Sequence, residues 1–324
     1  MRIAYLVFAY RNPLLLRRAI GTLSSEGSTF FVHIDQKSDI KAFSQIHGEN
    51  VIFSKKRIPV YWAEFSGAEA ILLLIRQALE RSQEYDYLVL LSGSEYPLRS
   101  AGYIHTFLEE NHGQEFISMT KMPNEAAGKP LSRINTLRFQ SNQPLTRFAV
   151  RVAAKAGLAT RDYRKCLGNL VPYAGSTWWA LTREACQYVL EFVQRNQHVV
   201  EYFKKTFAPE EMFFHTILGN SPFGARARRN LLYEDWSAGG GHPAAINEQH
   251  LALFQSQEKI RLTDLWGSAE VVFARKLSDE RLDLVEQIDD LIRRKDGARA
   301  LPSTSEPMNL DSDNIGGAKS CPSV

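Results

Sequence analysis

The feature that most constrains this chain is the alternation, through its first half, of short apolar runs with segments of helical character. Ile3 to Ala9, Thr29 to Ile34, Val51 to Phe53 and Tyr87 to Leu91 read as strands, with helices expected after Pro13 and from Ala68 to Gln83. Apolar strands separated by helices assemble into a mostly parallel central sheet with helices on both faces, because a parallel pair needs a long crossover. In the second helix Ala70, Leu73, Leu74 and Ala78 share one face, leaving Arg76, Glu80 and Arg81 for solvent. The fold class is therefore α/β. In such sheets ligands bind beyond the carboxyl ends of the strands, near a switch in strand order.

Of the 324 residues, 44% are hydrophobic and 23% charged, which suits a folded chain with one large core or two smaller ones. A net charge of +3 is too small to imply a phosphate-backbone binder by itself, so nucleic acid is not the expected partner. The positive charge is local. Lys129, Arg133, Arg138, Arg147, Arg151, Lys155, Arg161, Arg164 and Lys165 are set against Glu125 and Asp162 alone. Most such runs are solvated faces; the functional reading is peripheral contact with an anionic membrane. Cys166, Cys186 and Cys321 form no CxxC pair, which argues against a disulfide scaffold or a cysteine zinc site and fits a reducing, cytoplasmic setting. The apolar run from Ile3 stops at Arg11, Asn12 and Pro13, far short of the roughly 20 residues of a membrane span.

The second half reads as a strand from Ser176 to Leu181, helices after Arg183 and around Glu211 to Leu218, a Gly239 to Gly241 loop, and a helix from Asp279 to Arg294. Beyond Lys295 the composition turns to Ser, Pro, Gly and Asp. One catalytic domain over residues 1–295 is expected, with a nucleotide-binding half over about 1–120 and an acceptor-side half over about 121–295. Residues 296–324 read as a disordered tail.

Five segments could carry chemistry. Asp35 closes the strand from Thr29 and could accept hydrogen bonds from a ribose or a uracil N–H; a turn or helix cap is an equal alternative. Trp62, in Val60-Tyr-Trp, could stack on a base or a sugar, although tryptophan is more often a packing residue; Ser66 could cap the helix that follows. The strand ending at Leu91 runs into a polar turn, Ser92-Gly-Ser-Glu-Tyr-Pro97. Nucleotide-sugar enzymes commonly place an Asp-x-Asp metal motif there, and the only one in this sequence is Asp311 and Asp313, in the tail. In Pro209-Glu-Glu211-Met-Phe-Phe-His215, acids at a helix start ordinarily serve the helix dipole, but the adjoining aromatics draw this end into the core. A carboxylate held there could act as general base, worth about 10²–10⁴ in rate. Arg275 and Lys276 follow an apolar stretch and could neutralise a departing diphosphate, or form a solvated basic pair.

Together these segments resemble the Core-2/I-branching family of glycosyltransferases, which also contains the peptide xylosyltransferases. The resemblance rests on six pieces in order: Phe31 to Asp35, Val60-Tyr-Trp62, Leu91 to Pro97, Gly175-Ser-Thr-Trp-Trp-Ala-Leu-Thr-Arg183, Pro209 to Thr216, and Phe273-Ala-Arg-Lys276. It implies a GT-A-type, Rossmann-like fold and an inverting displacement on a UDP-sugar (UDP-GlcNAc, UDP-xylose or UDP-glucuronic acid) without a metal or other cofactor. Asp35 and Trp62 fall on nucleotide-binding positions, Arg275 and Lys276 on the diphosphate pair, and Glu211 on the catalytic base. Trp236 matches an acceptor-side aromatic more loosely; Trp178 and Glu95 are also assigned to that side. The peptide xylosyltransferases carry an Asp in the Gly-Ser-x-Trp segment where this chain has Thr177, so a glycan hydroxyl, on an oligosaccharide, a polysaccharide or a lipid-linked acceptor, is the expected target. Without the membrane anchor and disulfides of eukaryotic relatives, the chain resembles a bacterial cytoplasmic form. The competing reading is a non-catalytic sugar-nucleotide or glycan-binding module.

Overall fold

A computed structural model describes residues 1–138, 152, 159–237, 239 and 241–300. Arg147, Arg151, Lys155, Cys321, the Asp311/Asp313 pair and tail residues 301–324 lie outside the described residues. The strands are β1 (Ile3–Ala9), β2 (Ser28–Ile34), β3 (Val51–Phe53), β4 (Tyr87–Ser92), β5 (Glu95–Pro97), β6 (Glu115–Lys121), β7 (Tyr173–Thr182), β8 (Ala227–Arg228), β9 (Leu232–Glu234), β10 (Arg261–Asp264), β11 (Gly267–Glu270) and β12 (Phe273–Arg275). Seven form the central sheet in the order β3-β2-β1-β4-β7-β6-β8. Only β7 runs against the rest, pairing antiparallel with both β4 and β6.

The strand order reverses at β1, since β2 lies on one side of it and β4 on the other. Helix α1 (Pro13–Leu23) connects β1 to β2, and α2 (Ser66–Leu79) connects β3 back across the sheet to β4. Right-handed crossovers running in opposite directions place the two helices on opposite faces. Each helix buries the side its sequence marks: Leu16 and Ile20 from α1, and Ala68, Ile71, Leu74, Ile75 and Ala78 from α2, join one core with β1, β2 and β4. This is the mostly parallel, two-faced α/β arrangement that the alternation implied. No helix among the described residues is long and apolar enough to cross a membrane.

Two features depart from the sequence reading. Glu95–Pro97, expected as a turn, is a strand of a second sheet of order β5-β12-β9. This sheet sits over a separate apolar cluster containing Leu15, Tyr96, Phe254, Val271, Leu284 and Ile288. The last helix, Leu282–Ala300, runs past the expected boundary at 295; its Lys295 ammonium donates to the carbonyls of Gln257 and Glu258, which ties that turn to the body.

Close approach fixes one glycine of the Gly-Ser-x-Trp segment. A β-carbon on Gly175 would lie 1.7 Å from the Ser118 carbonyl oxygen of the neighbouring strand and 2.9 Å from the His215 ring. Gly175→Ala is therefore expected to force β6 and β7 apart at the cost of about 2 kcal/mol or more, read as a lowered urea midpoint against the native chain; an unchanged midpoint would remove this constraint.

Candidate functional site

The strand order reverses at β1, so the place for a ligand crevice lies beyond the carboxyl ends of β1 and β4. Asn12, in the left-handed region with φ 59°, donates from Nδ2 to the Gly93 carbonyl at 2.9 Å and to Ser94 Oγ at 3.2 Å. A β-carbon on Gly93 would lie 2.7 Å from the Arg11 carbonyl oxygen, so only glycine lets the two strand exits meet.

Glu95 follows immediately, with its side chain fully buried. Its Oε2 accepts the Ser92 N–H and its Oε1 accepts Arg275 Nη1. Arg275 also donates to Ser92 Oγ at 3.2 Å, and its Nε lies 3.8 Å from Glu234 Oε1. The guanidinium stacks on Trp178 at 4.6 Å, and Trp178 stacks in turn on Phe8. Glu95 and Trp178, expected to face the acceptor, are therefore held beneath Arg275: a buried carboxylate needs a counter-charge, and the ring supplies the cation with a flat support. Burial lowers the Lys276 ammonium below its ordinary value, and repulsion from Arg11 and Arg275 adds to this against the pull of Glu95. Three cations close enough to repel one another form a place that an anion would relieve.

Glu234 is a site residue that the sequence reading passed over. Burial raises its carboxyl to about 7, with Arg275 opposing and Glu95 adding to the rise. It ends a three-residue strand with no apolar alternation to mark its inward side, so only its place beside Tyr233 and Trp236 pointed to it. Asp235, next in the chain, accepts the Ser237 N–H at 2.8 Å and pairs with His250 at 3.0 Å, bracing the loop that carries Trp236. Trp236 is 53% exposed.

Asp35 closes β2. Its Oδ1 accepts the N–H groups of Lys37 at 2.9 Å and Val60 at 3.4 Å, and its Oδ2 lies 3.3 Å from Lys37 Nζ. Lys37 also lies over the Tyr61 ring at 4.2 Å. Burial lowers His33 to about 4, which keeps the ring neutral so that Nε2 accepts the Ile58 N–H at 2.8 Å. These contacts fasten residues 58–61 to the end of β2 and leave Trp62 76% exposed, edge-on to Phe207 at 5.7 Å. Ser66 does not cap α2; its hydroxyl accepts the Tyr61 N–H instead.

Glu211 ends a 3₁₀ turn, Pro209–Glu211. Its Oε2 accepts both Lys129 Nζ and Arg133 Nη1. Burial would raise this carboxyl, but the two cations outweigh it and hold it below its ordinary value. At Lys129 burial prevails over the pull of Glu211, and the ammonium also lies below its ordinary value. The neighbouring Glu210 is raised to about 7 by burial, and its Oε2 has no hydrogen-bond partner. Sequence reading placed Lys129 and Arg133 on a basic surface without seeing their carboxylate partner. The three groups of residues adjoin: Arg133 lies over Phe207, which meets Trp62, and the Glu211 charge contributes to the rise at Glu234. Among the described residues, no group of three or more His, Cys, Asp or Glu side chains is placed to hold a metal ion.

Residues 3–258 match the family model described as Core-2/I-Branching enzyme. The chain is similar to xylosyltransferase 2 of Mus musculus, 27% identical over 249 residues that cover 73% of this chain and 27% of that protein. It is likewise similar to xylosyltransferase oxt of Drosophila pseudoobscura pseudoobscura, 24% identical over 68% of this chain and 24% of the relative. Xylosyltransferase 2 of Homo sapiens is 27% identical over 68% of this chain and 25% of that protein. The chain thus spans about a quarter of the length of these relatives.

The raised carboxyl of Glu234 has a stability consequence. Its value climbs from 4.5 to about 7 on folding, so between those limits the native chain holds more of the proton than the unfolded chain does. Stability is present below pH 4.5 and is lost as pH rises through the window, with a slope of up to about 1.4 kcal/mol per pH unit from one group. Glu234→Gln is expected to flatten the native-minus-variant difference in urea stability above pH 7 and to change it between pH 5 and 7; a difference independent of pH would show that Glu234 ionises normally.

Proposed function

Because the chain belongs to the Core-2/I-branching enzyme family, we propose that it is a glycosyltransferase that moves a sugar from a UDP-sugar to a glycan hydroxyl by a single inverting displacement. The observation that carries this reading is the division of labour between neighbouring groups: a stacked, carboxylate-held Arg275 with Lys276 next to it in one place, and an ionised Glu211 in the other. In this reading Asp35 and Trp62 receive the nucleoside. Arg275 and Lys276 receive the diphosphate, with Arg11 beside them. Positive charge already in place where leaving-group charge develops lowers the barrier without reorganisation.

Glu211 is the general base. Both of its cationic partners bind Oε2, which leaves Oε1 to take the proton of the acceptor hydroxyl. The acceptor oxygen bonds to the anomeric carbon as the bond from that carbon to the diphosphate oxygen breaks, and UDP leaves with the electron pair. Attack from the face opposite the leaving group inverts the anomeric centre. The charge of UDP is taken by Arg275 and Lys276 and no metal is required. Trp236, exposed and two residues beyond Glu234, supplies a flat apolar surface for an acceptor ring. A cytoplasmic setting belongs to this reading, supported by the free thiols of Cys166 and Cys186.

Thermal denaturation in EDTA with UDP and a panel of UDP-sugars tests the donor assignment. A ligand that binds only the native state raises the melting temperature with its concentration, and the sugar that adds most to the UDP shift names the donor. A shift that appears only with manganese would overturn the metal-free assignment. Glu211→Gln is expected to lower transfer by about 10²–10⁴ while the UDP shift survives; undiminished turnover would sink the base assignment. A double Arg275→Gln, Lys276→Gln chain should weaken UDP binding at least tenfold, and unchanged affinity would remove both from the donor site. UDP binding by a native chain that transfers to no acceptor would instead identify a binding module.

A further inference from the structure

The wall beside Glu211 carries more positive charge than its own carboxylates can neutralise. From Ala126 to Arg161 the sequence contains Lys129, Arg133, Arg138, Arg147, Arg151, Lys155 and Arg161 and no Asp or Glu. Of the cations here whose surroundings the structure describes, Lys129 and Arg133 share the single charge of Glu211. Arg138 is exposed; it lies over the Phe207 ring at 4.6 Å, and its backbone N–H is held by the Lys205 carbonyl. Arg161 lies over Tyr202 at 3.7 Å and donates to the Tyr202 carbonyl and to Thr206 Oγ1, both uncharged. Glu210, beside Glu211, is raised to about 7 by burial and so adds only part of a second negative charge; Glu201 is engaged by Lys204 at 2.7 Å, and Asp162 lies 4.0 Å from Arg164.

These cations are organised around one ring. Phe207 takes Arg133 at 5.5 Å and Arg138 at 4.6 Å on its surface and the edge of Trp62 at 5.7 Å. Two guanidiniums held at one ring have lost much of their rotational freedom, so an anion that reaches them meets donors already partly ordered. We propose that the acceptor is an acidic glycan, with a sugar carboxylate or phosphate received by Arg133 and Arg138 at Phe207 next to the base. This deepens the glycosyltransferase reading and rests on it.

The placement has a second consequence. Arg133 holds down the basicity of Glu211 through Oε2. An acceptor anion that draws Arg133 toward itself strengthens the base as the hydroxyl arrives, so an acidic acceptor should gain in kcat as well as in KM.

The test uses the full chain, its UDP-sugar donor and matched probes: p-nitrophenyl β-glucuronide, p-nitrophenyl glucose 6-phosphate and neutral p-nitrophenyl β-glucoside. The acidic probes are expected to be preferred about tenfold or more in kcat/KM, part of it in kcat, with the two arms showing whether carboxylate or phosphate is read. Arg138→Gln should collapse that ratio toward unity, and Arg138→Lys should restore part of it. Saturation-transfer NMR of the glucuronide with UDP present reads the binding without turnover. A neutral probe used or bound as well as the acidic ones would overturn this inference and leave the transferase reading standing; failure of UDP binding would strike the transferase reading itself. Transfer to a serine peptide with an acidic tract but to no acidic sugar would assign the wall to a peptide. Binding to vesicles with 30% phosphatidylserine that is lost in Arg138→Gln, without acceptor discrimination, would assign it to a membrane.

Discussion

Glu95 is a fully buried carboxylate, and most of the crevice depends on how its charge is satisfied. An ion of this kind is tolerated in a protein interior only if its oxygens are fully engaged by donors and a counter-charge. One oxygen takes the Ser92 N–H at the end of the large sheet, and the other takes Arg275 from the small sheet. The same contact that satisfies Glu95 therefore joins the two sheets and aims the guanidinium along Trp178. Glu234 adds a weaker tether at 3.8 Å, so Arg275 is firmly directed on one side and adjustable on the other.

The opposite wall follows the reverse logic. There a carboxylate, Glu211, is the minority charge among cations, and burial is outweighed by its partners. A base kept ionised by neighbouring cations is available over a wide pH range but is intrinsically weak. In the proposed transferase, catalysis by such a group would depend on positioning and on what an acceptor does to its partners, rather than on high basicity. The two walls together set a guanidinium restrained by acids against an acid restrained by cations.

Sequence alone read the architecture where burial leaves a local trace. β1, β2 and β4 are almost wholly buried, so their apolar runs were visible without any knowledge of their neighbours. The three-residue strands β5 and β9 left no such trace, because each exists through pairing with distant chain. The same limit applied to the site. Glu211, Arg275 and Asp35 stood out at element ends, but the partners of Glu211 lie 82 and 78 positions away, and nothing in local pattern joins them. The contacts of Glu95 and Trp178 were equally hidden, since a sequence does not reveal that one carboxylate is buried under a cation and that one ring is its seat.

Arg275 and Glu95 lie 180 positions apart, and this separation orders events during synthesis. Domains are made from the amino end at a few residues per second, so every strand of the central sheet up to β7 is complete well before Arg275 exists. Until then Glu95 has no counter-charge and the small sheet lacks its central strand. The large sheet is thus a scaffold that can wait, whereas the Glu95–Arg275 side is assembled in one late step. A partly made chain carries the frame of the fold but not yet the cation that Glu95 needs.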